Sequence, residues 1–81
     1  MPSQRRTLFF EDVSFSCSQR DLHDLFAKYG ELYEIRFKGP DEIEEGEMPY
    51  GFVRYIHAQS AVAAKNELNN TIIFGHKIKF V

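Results

Sequence analysis

The chain has 81 residues, 43% hydrophobic and 15% aromatic, with a formal net charge of −2 and one cysteine. That length holds one domain and one small core. Eight Phe and four Tyr are more ring area than such a core hides, so some rings are expected at the surface, where exposed rings usually mean binding. No run approaches the ~18 apolar residues of a membrane span, and the N-terminus lacks a secretory apolar stretch. Cys17 has no internal disulfide partner, which points to a reducing intracellular compartment.

Residues 1–6 are polar, carry the Arg5-Arg6 pair and read as a flexible lead-in to one domain over 7–81. Thr7 to Glu11 alternates as a strand should. Val13 to Cys17 is a loop; Ser18 is a good helix N-cap and Asp21 sits near the helix's positive end. Leu22, Leu25 and Phe26 recur at helical spacing, and Gly30 supplies a left-handed stop. The next strand runs from about Leu32 to Lys38, with Leu32, Ile35 and Phe37 inward. Gly39-Pro40 ends it, and Asp41, Glu42, Glu44, Glu45 and Glu47 form an acidic loop. Tyr50 to Ile56 is the most strand-like segment. Ala61, Ala64, Lys65 and Leu68 mark a second, small-faced helix, ended by Asn69-Asn70. Ile72-Ile73 is a short extra strand before Gly75, and Lys77 to Val81 is the last strand. The order predicts an α+β, ferredoxin-like βαββαβ sandwich: a four-stranded antiparallel sheet with two helices on one face and the other face open.

Alternate strand residues share a face. Phe9 and Glu11 therefore point together, with Leu8 and Phe10 inward; Tyr50, Phe52 and Arg54 share one face, with Gly51, Val53 and Tyr55 on the other. If the helices cover Leu8, Phe10 and Val53, then Phe9, Tyr50 and Phe52 face solvent. The same alternation puts Arg36, Lys38, Arg54, Lys77 and Lys79 on the open face against only Glu11 and Glu34. The local field is expected to be positive although the chain is negative.

Two segments carry a resemblance. Leu8-Phe9-Phe10-Glu11-Asp12-Val13 on the first strand and Met48-Pro49-Tyr50-Gly51-Phe52-Val53-Arg54-Tyr55 on the third resemble the hexamer and octamer of the RNA recognition motif family. Asp21-Leu22, Leu25-Phe26, Tyr29-Gly30 and Leu68-Asn69 also fit its pattern, so the resemblance covers about Thr7 to Val81. It implies binding of short single-stranded RNA, with bases stacked on Phe9, Tyr50 and Phe52 and with Arg36, Lys38, Arg54, Lys77 and Lys79 on phosphates or base edges. It further implies a module of a larger RNA-processing or regulatory protein, acting on mRNA or pre-mRNA in the nucleus, the cytoplasm or both. Met48 and Pro49 replace the usual basic residue and glycine, Asp12 replaces the customary Asn, and the acidic loop would repel phosphates. Modest, micromolar affinity is expected unless a neighbouring RNA-binding domain adds avidity.

The rival reading is a protein-binding module of the same fold, with Ile72 and Phe74 as candidate protein contacts if exposed, against ordinary edge packing of Phe74. Catalysis fails on inventory: Glu11 to Ser14 is no cationic anion-holding loop, and no base is identifiable. Cys17 stands alone, and His23, His57 and His76 lie on different elements, so neither metal nor cofactor is expected.

Overall fold

The computed structural model describes residues 5–81; most of the lead-in expected over residues 1–6 lies outside them. Strand β1, Thr7–Glu11, buries Leu8 and Phe10 and exposes Phe9 between them. It ends where Asp12 takes φ +61, a left-handed conformation that Asp tolerates better than most residues. The chain then crosses to helix α1, Gln19–Phe26. Its start is a reciprocal capping box: Asp21 N–H donates to Ser18 Oγ at 3.1 Å, and Ser18 N–H donates to the Asp21 carboxylate at 3.0 Å. Two of the helix's orphan donors are thereby satisfied. One 3₁₀ turn, Ala27–Tyr29, follows. Gly30 has φ +147 and ψ 174, so the positive φ expected there is present, but as a mirror-extended bend after the 3₁₀ turn rather than a helical left-handed cap.

Strand β2, Leu32–Lys38, pairs antiparallel with β3, Tyr50–Tyr55, and the register slips between Leu32 and Glu34. This bulge reconciles Leu32 with Ile35 and Phe37 as inward residues, since unbroken alternation cannot put positions three apart on one face. Helix α2, Ala58–Leu68, turns Ala61, Ala64 and Leu68 to the core. Asn70 leaves it at φ +66.

The region expected as one last strand is two. Strands β4, Ile72–Ile73, and β5, His76–Lys77, form a separate ribbon, and only β6, Lys79–Phe80, joins the main sheet. The reason lies in β1: Glu11 faces Lys79 in the register, and the turn at Asp12 removes the partner that Lys77 would need. Ile78 instead bonds through its backbone to Thr71 and Asn70.

The main sheet has the order β2-β3-β1-β6, all antiparallel. Both helices pack on one face, where Leu22 and Phe26 of α1 and Ala61, Ala64 and Leu68 of α2 meet Leu8, Phe10, Val53, Tyr55, Ile78 and Phe80. Each fully buried large side chain contributes about 1.5–3 kcal/mol. Phe10 is central, with its ring centroid 5.3 Å from Phe26 and 6.5 Å from Phe80. The buried Tyr55 hydroxyl donates to the Phe26 carbonyl at 2.7 Å. Burial, and then the neighbouring Tyr29 hydroxyl, hold its pKa far above the usual tyrosine value. Cys17 is also buried, and its thiol pKa is pushed up to about 11, by burial first and by Asp21 second. It is inert where nucleophilic cysteines are acidified.

Candidate nucleic-acid interface

With the helices on one side, the opposite face of the sheet is laid out in rows set by the strand registers. Arg36, Phe52 and Phe9 form the central row, since Arg36 faces Phe52 and Phe52 faces Phe9. On one side of it lie Lys38 opposite Tyr50, with Glu11 opposite Lys79 further along the same end. On the other lie Glu34, Arg54 and Thr7. Phe9 is 52% exposed and Tyr50 39%, and Phe52 is half-buried beside Phe9 with ring centroids 5.8 Å apart. The three rings named from the sequence thus share one contiguous surface. That surface exists because Leu8, Phe10, Val53 and Tyr55 fill the core from the other side of the same strands.

Gly51 is what lets β3 lie so close to β2. A Cβ there would collide with the Arg36 carbonyl oxygen, so any side chain would push apart the two strands that carry Tyr50, Phe52 and Arg36. Pro49, in place of the family's glycine, is buried, and its carbonyl accepts from Val13 N–H at 3.1 Å. It ties the entry of β3 to the loop after β1.

The cations are more compensated than alternation indicates. Arg36 Nε donates to Glu34 at 3.0 Å, and Lys79 Nζ lies 3.6 Å from the Asp12 carboxylate. Lys38 Nζ stands 5.8 Å from the centre of the Tyr50 ring, in cation–π range. Arg54 Nε donates to Thr7 Oγ1 at 3.1 Å. Lys77 is in the side ribbon opposite Ile72 and not in the four-stranded sheet. Four cations therefore stand against Glu11, Glu34 and Asp12, and the field is weaker than the five-to-two balance read from the sequence.

Tyr33 was not anticipated. The bulge frees it from the alternation of β2, leaving the residue 66% exposed and its ring centroid 5.7 Å from the Arg54 guanidinium carbon. The signal was present in the spacing: an inward set of Leu32, Ile35 and Phe37 requires an extra residue between the first two. At one end of the face an open cleft of about 500 Å³ is lined by Phe9, Glu11, Asp12, Glu47, Tyr50 and Val81, among others. Ile72 and Phe74 are both exposed, so Phe74 (57%) is not edge-packed. Among the described residues, no three His, Cys, Asp or Glu side chains gather as metal ligands, and no helix is long and apolar enough to cross a membrane.

A βαββαβ domain whose antiparallel sheet is covered by both helices on one face and leaves exposed rings and flanking cations on the other belongs to the ferredoxin-like class. The sequence profile of the RNA recognition motif family matches residues 8–79, and the chain belongs to that family. It is 38% identical over 73 residues to Protein MEI2-like 3 of Arabidopsis thaliana, covering 90% of this chain and 9% of that protein. It is 25% identical over 76 residues to Multiple RNA-binding domain-containing protein 1 of Emericella nidulans, covering 94% of this chain and again 9% of the relative. The chain thus spans only a small part of these relatives. Among solved structures, the Mip6 RRM3 domain superposes with a TM-score of 0.82 at 20% identity, over 98% of this chain and 93% of that one.

Proposed function

We propose that this domain binds short single-stranded RNA across the free sheet face, with bases stacked on Phe9, Tyr50 and Phe52. The observation that carries the reading is the continuity of those rings on the face the helices leave open. Stacking is sequence-tolerant and contributes roughly 1–3 kcal/mol per base. Lys38 and Arg54 serve as the first phosphate contacts, because neither is committed to a carboxylate. Arg36 and Lys79 join by exchanging Glu34 and Asp12 for phosphate. Lys77, on the side ribbon beyond the edge of the sheet, is left out of this footprint. The mechanism is passive recognition with no chemical step, within a larger RNA-processing or regulatory protein that engages mRNA or pre-mRNA.

Chemical-shift titration with random-sequence oligoribonucleotides tests this. Perturbations centred on Phe9, Tyr50 and Phe52 are expected; unmoved signals at all three would refute the RNA reading. A protein-contact role for Ile72 and Phe74 is favoured by one observation, the exposure of both on the side ribbon. RNA should leave that ribbon unperturbed.

A further inference from the structure

Tyr33 and Arg54 form a unit that the motif rings do not account for. Arg54 lies two residues beyond Phe52 on β3, ~7 Å along the strand, and Tyr33 is on the neighbouring strand, ~5 Å to the side. Thr7 Oγ1 takes up Arg54 Nε, while the Tyr33 ring lies against the guanidinium. The side chain is thus held from two directions, and its terminal amino groups are left to grip an anion. A guanidinium so fixed suits bidentate contact with a phosphate. Tyr33 is well exposed as a residue, which leaves its ring accessible to a flat partner. No core residue needs it there; the bulge puts it on the surface at the sheet's β2 edge.

We propose that Tyr33 is an additional base-stacking position, and that Arg54 holds the phosphate joining its nucleotide to the one on Phe52. The bound strand then continues beyond the three motif rings to the β2 edge. This rests on the RNA-binding reading above and extends its footprint. Three nucleotides fill Phe9, Tyr50 and Phe52, so only a longer strand reaches Tyr33.

Affinities of random-sequence three- and six-nucleotide RNAs, measured by fluorescence anisotropy on wild type, Tyr33→Ala, Tyr33→Phe and Phe9→Ala, test it. Tyr33→Ala should weaken the six-mer about tenfold and leave the trimer within twofold, while Tyr33→Phe binds both as wild type does. An unchanged six-mer overturns the proposal. So does an equal loss on both lengths, which would make Tyr33 only a rest for Arg54. Phe9→Ala separates the two levels: it should weaken both lengths, and if it weakens neither, the RNA reading itself fails.

Discussion

Phe9 and Tyr55 stand on adjacent strands of one sheet in opposite surroundings. Phe9 is half in water and meets only Phe52 among the rings; Tyr55 is fully buried, with its hydroxyl spent on the Phe26 carbonyl. Their truncations should therefore separate binding from stability. Phe9→Ala, or Tyr50→Ala, is expected to lower RNA affinity about tenfold, equal to losing one stack, while moving the urea midpoint little, as surface changes do. Tyr55→Phe should do the reverse. It leaves a buried carbonyl without its donor at about 1–2 kcal/mol, with RNA affinity unchanged. Equal effects of both on affinity would mean that the rings act by holding the sheet together. Which side Phe9 and Tyr55 take was legible from period-two alternation. What each cation does was not: the Lys79 partner, Asp12, sits at a left-handed turn, and no periodicity predicts where such a turn aims its side chain.

Among the elements, the β4–β5 ribbon shows where strand reading stops short. Lys77 and Lys79 are both exposed, as alternation expects, and Ile78 and Phe80 beside them are buried. Pairing is a separate question, decided by where β1 ends, and that depends on a single backbone angle at Asp12. The ribbon's own turn carries a cost. Phe74 at φ +50 and Gly75 at φ +88 make a two-residue turn with both central residues left-handed, the geometry for which Asn-Gly is favoured. A bulky residue in that conformation costs about 1–2 kcal/mol, and the exposed Phe74 ring recovers little of it by packing. Phe74→Asn is accordingly expected to raise stability by about 0.5–1 kcal/mol in urea denaturation, with RNA binding unaffected. A destabilised variant would show that the ring contributes packing that its exposure conceals. The bulge in β2 is the complementary case: its existence was implicit in the inward spacing, but its consequence, a fourth ring on the surface, emerges only once the register is known.

For the whole molecule the decisive quantity is the distribution of charge. The net −2 hides a face that is mildly positive and a loop that carries five exposed carboxylates, Asp41, Glu42, Glu44, Glu45 and Glu47. The loop is close enough to matter. Glu47 lines the cleft shared by Phe9 and Tyr50, and Glu42 lines the groove shared by Arg36, Lys38, Tyr50 and Phe52, so a carboxylate stands in each of the two clefts that Tyr50 lines. At 0.1 M salt the screening length is about 10 Å, long enough for these charges to repel an approaching phosphate. Replacing all five by Asn and Gln changes the formal net charge from −2 to +3 and touches no core residue. Affinity for single-stranded RNA should then rise several-fold at 50 mM salt, mostly through faster association. The gain should vanish by 1 M, where screening falls to about 3 Å. The wild-type salt slope should lie near −1.5 to −3, since each phosphate neutralised on a single strand contributes about −0.7 and two to four cations are available. If the neutralised variant binds no better at low salt, the loop stands clear of the bound strand, and the modest affinity expected of this domain must come from the carboxylates that already occupy Arg36 and Lys79.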